Sequence, residues 1–270
     1  MSTLTQRVVT AVGLLAVLLF VFLRLPTSAA TGLVGLVLVI AAWEWSAFLK
    51  VESVALRGAY AGLILSLMAG VFWLLPNRHS LTPILWMGLG WWSIAFVWVL
   101  RYPMSIRRDV RAVCGILVLL PTWAGVLVLL DLSERGPVYV LFAMLIIASA
   151  DVGAYFVGRI FGRTRLAPAV SPGKTWEGLA GGLAGAVVVA ALGANLLGLP
   201  RLAWAATGLC VAAISVVGDL VVSMFKRNAG LKDSGGLFPG HGGVLDRIDS
   251  MTAATPAFVL AALWLDIIYI

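Results

Sequence analysis

Leu202-Ala-Trp-Ala-Ala-Thr-Gly-Leu-Cys-Val-Ala-Ala-Ile-Ser-Val-Val-Gly-Asp-Leu-Val-Val222 runs directly into Ser223-Met-Phe-Lys-Arg-Asn-Ala-Gly-Leu-Lys-Asp-Ser-Gly-Gly-Leu-Phe-Pro-Gly-His-Gly-Gly-Val-Leu-Asp-Arg-Ile-Asp249. The first part is apolar except for Asp219. Its length suits one crossing of a bilayer core of about 30 Å as a helix rising 1.5 Å per residue. The second part is an island of 27 residues with four basic residues, three aspartates, one of the two histidines and six glycines, in a chain only 11% charged. A membrane span that ends in a concentrated polar loop sets the reading of the whole sequence.

Working outward, similar apolar runs recur at about 8–23, 29–49, 57–75, 82–100, 110–130, 137–160, 177–199 and 250–269, making nine with 202–222. The chain is 61% hydrophobic over 270 residues, and its mean hydropathy is +1.04. Hydrocarbon leaves backbone groups no water to bond, so each run is expected to be a helix. No small-residue cleavage site follows the first run, which is read as retained rather than as a signal peptide. The expectation is an all-α, polytopic integral membrane protein with about nine transmembrane helices. Spans 1–5 would fill residues 1–135. The catalytic spans would fill 136–270 with cytoplasmic loops 161–176 and 223–249.

Charge orients these spans. With nine, the N-terminus and the loops after the second, fourth, sixth and eighth spans carry 15 of the 19 basic residues; the other side keeps Arg24, Arg78, Arg135 and Arg201. The positive-inside bias places the N-terminus and the island in the cytoplasm. The net charge of +7 is mostly this topological signal and attraction to anionic headgroups, and short juxtamembrane basic loops argue against a nucleic-acid partner. Cys114 and Cys210 read as inert buried thiols, and the 11 tryptophans as interface and lipid-packing residues.

Asp219, Ser223 and Lys226 are spaced i, i+4, i+7 and share a helical face. Asp246 and Asp249 share one at the start of the last span. Capping alone would explain the Asp246–Asp249 pair, but an aspartate within a span, such as Asp219, normally faces a polar site. Carboxylates from two helix ends suit a hard cation such as Mg²⁺, with Ca²⁺ open on ligand type, although no EF-hand loop is present. Gly242 and Gly243 would let backbone N–H groups approach phosphate oxygens, which Lys226, Arg227, Lys232 and Arg247 would neutralise. His241 is open between phosphate contact, metal binding and loop ordering.

A second segment begins at Asp151, also within a span, and continues through residues 163–178. Gly173-Lys174-Thr175 resembles the end of a P-loop, but Pro168 stands where the first glycine belongs and no strand is expected before it. The segment reads instead as a short helix start with Ser171 as cap and Lys174 and Glu177 spaced i, i+3, facing the same polar site as Asp151. Glu44 reads as a snorkelling residue or a partner of Lys50. Gly181, Gly182 and Gly185 suit close helix packing.

Ser223-x-x-Lys226-Arg227-x4-Lys232-Asp233-x-Gly235-x2-Phe238-Pro239-x-His241-Gly242-Gly243-x2-Asp246-Arg247-x-Asp249 resembles the signature of the phosphatidate cytidylyltransferases (CDP-diacylglycerol synthases). Residues 171–178 with Asp151 resemble the family too, with Gly173 where it usually has a second lysine, so that one phosphate contact would be missing. The resemblance implies that CTP and phosphatidate yield CDP-diacylglycerol and pyrophosphate in phospholipid biosynthesis. It implies Mg²⁺, with a second cation left open, at the bacterial cytoplasmic membrane, in a homodimer. Asp219, Asp246 and Asp249 would face metal. Lys226, Arg227, Lys232 and Arg247 would hold phosphate oxygens together with Lys174. Asp233 would be either a further metal ligand or the residue orienting Lys232. Asp151, Ser171, Glu177, Ser223, His241, Gly242 and Gly243 would line the substrates. The alternatives are a CTP-dependent membrane lipid kinase and, from another class, an ion-coupled transporter with Asp151 and Asp219 at its midplane.

Overall fold

The computed structural model describes residues 13, 16–76, 78–131, 135–237 and 242–265. After a helical stretch at 16–24 come α1 (Thr27–Phe48), α2 (Val54–Trp73), a 3₁₀ turn (Arg78–Leu81), α3 (Thr82–Leu100), α4 (Arg108–Asp131) and α5 (Gly136–Phe161). A hairpin of β1 (Arg165–Ala167) and β2 (Ser171–Thr175) leads into α6 (Trp176–Leu197), α7 (Arg201–Ala229) and α8 (Leu245–Trp264). Seven of these segments, α1 to α7, are long and apolar enough to cross a membrane, α3 together with its preceding turn. The protein is therefore a helical, polytopic membrane protein. Of the apolar run at 8–23, residues 13 and 16–23 are described, and 16–23 are helical. The last expected span corresponds to α8, which carries Asp246, Arg247 and Asp249 in its first two turns and is not among the seven.

α4 is the most enclosed helix, and α8 packs along it and against α7. Thr122 in α4 donates across to the Thr252 carbonyl at 3.0 Å, which satisfies a hydroxyl inside the bundle. α5 and α6 approach most closely through glycines: a methyl group on Gly182 would sit 2.6 Å from the Ala150 carbonyl oxygen, and one on Gly153 2.6 Å from that of Gly181. Backbones at this spacing gain packing that larger side chains would prevent.

Several tryptophans depart from the interface role expected of them. Trp45, Trp92 and Trp204 are fully buried. The Trp45 indole donates to the Arg111 carbonyl and the Trp123 indole to that of Met68, each at 2.9 Å, so these rings tie helices together. Trp73, Trp86 and Trp264 do lie on the surface. Cys114 is buried as expected, but Cys210 faces outward from α7; both are free thiols.

Candidate active site

The hairpin corrects the reading of residues 163–178. Ser171 is not a helix cap, because it pairs as a strand residue opposite Ala167, with Arg165 opposite Thr175. The cap of α6 is Thr175, whose hydroxyl accepts from the Gly178 N–H at 3.1 Å. Glu177 makes no pair with Lys174. Its carboxylate accepts the N–H groups of Arg163 and Thr164 at 3.1–3.2 Å and so fastens the hairpin to the first turn of α6, a favourable place for negative charge. Two short strands were missed because Ser-Pro-Gly-Lys-Thr has weak strand propensity; pairing with β1 overrides it.

This fastening leaves Lys174 pointing across to α7, where its Nζ lies 2.7 Å from Asp219 Oδ2. Ser223, one turn on, donates to Asp219 Oδ1 at 3.2 Å, as the i, i+4 spacing suggested. Around this pair opens a cavity of about 490 Å³. Its polar lining comes from Asp151, Tyr155 and Arg159 of α5, Arg165 and Lys174 of the hairpin, and Asp219. Arg159 donates to the Tyr155 hydroxyl at 2.7 Å. Arg159, Arg165 and Tyr155 were passed over in the sequence. In the sequence the arginines are indistinguishable from the other basic residues of their loop, and only the fold brings Arg159 of α5 and Arg165 of the hairpin to the same cavity wall.

The second centre is at the start of α8. Lys226 Nζ lies 2.7 Å from Asp246 Oδ1, with both side chains largely enclosed. The other oxygen of Asp246 accepts the N–H groups of Ser234 at 2.9 Å and Gly243 at 3.0 Å. Gly242 is held at φ 79°, and a methyl group there would meet that same oxygen, so the turn needs glycine. Asp246 precedes the apolar part of α8. Burial pushes its carboxyl up, but the hydrogen bonds from Lys226, Gly243 and Ser234 and the Lys226 charge outweigh it and hold the group below the usual carboxylate range. Asp249, a turn further on, is buried and accepts the Ser250 N–H at 2.7 Å.

Glu44 has a different role from the one read in the sequence. It neither snorkels nor pairs with Lys50. Buried in α1, its carboxylate accepts the N–H groups of Val244 at 3.0 Å and Leu245 at 2.8 Å and the Ser234 hydroxyl at 2.9 Å. It is the acceptor at the N-terminus of α8, where the backbone supplies N–H donors and a favourable dipole. Gly235 and Gly243 both pack directly on its side chain.

Asp219 and Lys226 lie two turns apart on α7, and a methyl group on Gly218 would sit 2.7 Å from the Asp249 carbonyl oxygen, so the two centres adjoin along the contact of α7 with α8. Lys232, Asp233 and Arg247 stand exposed along its loop and first turn. Arg227 lines a different cavity, with Lys50 and Arg111. His241 lies outside the described residues, as do Phe238, Pro239 and Gly240. Among the described residues no group of three His, Cys, Asp or Glu side chains converges closely enough to hold a metal ion. Asp246 is engaged by Lys226 and two N–H groups, and Asp219 by Lys174. The three aspartates are thus near one another without forming a ligand cluster. The neighbouring carboxylates Asp219 and Asp249 remain suited to Mg²⁺, which binds through one or two carboxylates plus water and phosphate.

The fold and site are those of a helical membrane protein with two lysine–aspartate pairs and a glycine-bearing turn gathered where its helices end. A profile described as Cytidylyltransferase family matches residues 5–265. Proteins named phosphatidate cytidylyltransferase are similar along nearly the whole chain. That of Pseudomonas aeruginosa is 42% identical, covering 97% of both chains. That of Haemophilus influenzae is 39% identical, covering 94% of this chain and 97% of the relative. That of Bacillus subtilis is 33% identical over 95% and 96%. The chain belongs to the cytidylyltransferase family.

Proposed function

We infer that the protein transfers the cytidylyl group of CTP to phosphatidate, giving CDP-diacylglycerol and pyrophosphate for phospholipid synthesis. Its relatives over nearly the full length carry that name. The observation that carries the reading is that two lysine–aspartate pairs, Lys174–Asp219 and Lys226–Asp246, sit two turns apart along α7, where Gly218 packs on the Asp249 backbone of α8. In the reaction a phosphatidate phosphate oxygen forms a bond to the α-phosphorus of CTP, and the bond from that phosphorus to the bridging oxygen breaks, releasing pyrophosphate. A phosphomonoester with a second pKa of about 6 is largely dianionic near neutral pH, so the nucleophile needs no general base. The difficulty is bringing two polyanions together, which positioned cations relieve.

In this reading Lys174, Arg159 and Arg165 bind the triphosphate from the hairpin side. Lys226, Lys232 and Arg247 approach from the island. Asp219 and Asp246 hold the two site lysines in place, and Asp233 orients Lys232. Asp151, Ser223, Gly242 and Gly243 line the substrates, and the lipid tails stay among the helices. Asp249 would hold Mg²⁺, joined by Asp219 and Asp246 as they release Lys174 and Lys226 to the phosphates. When bound, the ion would supply charge neutralisation to the phosphates. The excess of positive charge on the island's side supports nine crossings with the N-terminus and site in the cytoplasm, where CTP is found. We further propose a bacterial cytoplasmic-membrane location and a homodimer. Nothing in the site favours a lipid kinase or a transporter.

Labelled CTP should enter chloroform-extractable lipid only when phosphatidate and Mg²⁺ are both present. Asp246→Asn should reduce incorporation at least ~100-fold while the protein stays monodisperse, the scale expected for losing a positioned charged group. Label appearing without phosphatidate would overturn the activity, and near-normal turnover of the variant would overturn the site.

A further inference from the structure

At the same end of the bundle a second cavity, of about 420 Å³, shares no lining residue with the first. Its charged lining is Lys50, Arg111 and Arg227, contributed by the segment after α1, the first turn of α4 and the last turn of α7. No acidic side chain lines it, and none of the three cations has a carboxylate partner among the described residues. Asn228, also at the rim, donates to the Met104 carbonyl, so the end of α7 is fixed to the segment between α3 and α4.

Arg111 is the unusual member. It is 8% exposed, yet it is not paired with an acid. One guanidinium nitrogen, Nη1, donates to the Phe48 carbonyl, while Nε is buried without a partner. The Arg111 carbonyl in turn receives the Trp45 indole, so the residue is held in place from α1. A buried guanidinium with an unused donor is costly, and two further cations facing the same space add repulsion. An anion in the cavity would relieve the repulsion and neutralise the guanidinium charge, since Arg111 lines the wall beside Arg227 and the lysine adds a point charge.

We propose that this cavity is a phosphate-binding site separate from the carboxylate site. Its occupant is a phosphate group, carried on an anionic lipid headgroup or free in solution. Cations gathered between helix ends at the edge of a hydrophobic bundle stand at the depth of lipid phosphates, which suits the first source. The proposal stands on this cavity alone and does not require that CTP bind where the carboxylates are.

The test is calorimetric titration of the purified full chain in an uncharged detergent, with dihexanoylphosphatidylglycerol in one arm and inorganic phosphate in the other. Wild-type protein should bind at least one probe, and Lys50→Glu and Arg111→Met should each weaken that binding about tenfold or more, the equivalent of one charge-assisted hydrogen bond. Lys50→Arg should restore it. Binding in the lipid arm alone identifies a headgroup, and binding in the phosphate arm identifies a free anion; both uphold the site. Because Lys50 is exposed, Lys50→Glu remains informative if Arg111→Met does not fold. No binding of either probe by wild type, or equal binding by Lys50→Glu, would overturn the proposal. Failure of the cytidylyl-transfer reading would appear separately, in the CTP incorporation assay.

Discussion

Glu44 is 190 residues from Ser234 in sequence, yet its carboxylate accepts the Ser234 hydroxyl and the two N–H groups that open α8. The helix that carries Asp246 and Asp249 is therefore registered by a residue of α1 that belongs to neither charged segment. Removing the carboxylate leaves three buried donors unpaired, at about 1–3 kcal/mol each. Glu44→Ala should lower stability by roughly 3 kcal/mol or more and largely abolish incorporation of CTP label. Glu44→Gln, which keeps an acceptor oxygen of similar shape, should lose less. Thermal unfolding in detergent measures both, and an unchanged midpoint for Glu44→Ala would contradict this role. Nothing in the sequence around Glu44 distinguishes it from a snorkelling acid, because its partners are backbone groups. By contrast, Asp219, Ser223 and Lys226 were legible as one face, since helical spacing alone brings them there.

At the scale of elements, the site depends on how closely α6 can lie against α5. The hairpin hands Lys174 to Asp219 from the N-terminus of α6, and the Gly178, Gly181, Gly182 and Gly185 face sets the distance to Asp151 and Arg159 on α5. A larger side chain must push a backbone carbonyl at Gly178, Gly182 and Gly185, and the branched Val157 side chain at Gly181. Gly182→Leu should cost about 1–3 kcal/mol through overpacking and should reduce CTP turnover although it touches no substrate. Retained turnover at wild-type rate, with the protein folded, would show that the helix spacing does not set the site. The small-residue pattern was readable as close packing. The hairpin was not, because its strands are short and rich in turn-forming residues, and they exist only as each other's partners.

At the scale of the molecule, seven of the described helices are long and apolar enough to cross a membrane, and the proposed topology puts the site at the cytoplasmic face. Single cysteines placed at Lys232 and Arg201, in a chain lacking Cys114 and Cys210, test that frame. Arg201→Cys should react with an impermeant maleimide on intact spheroplasts, and Lys232→Cys only after lysis. The reverse pattern would invert the orientation. The sequence by itself determined the helical membrane architecture, because each apolar run must satisfy its own backbone bonds in hydrocarbon, and it determined the island's chemistry, because charge and glycine are concentrated there. Only the tertiary structure decided the partners. Glu44 on the α8 N-terminus, Glu177 on the hairpin, Asp246 on Lys226 and Arg111 on the Phe48 carbonyl are contacts between different elements. Local spacing carries no information about which buried charge will meet which donor; the packing of helices does.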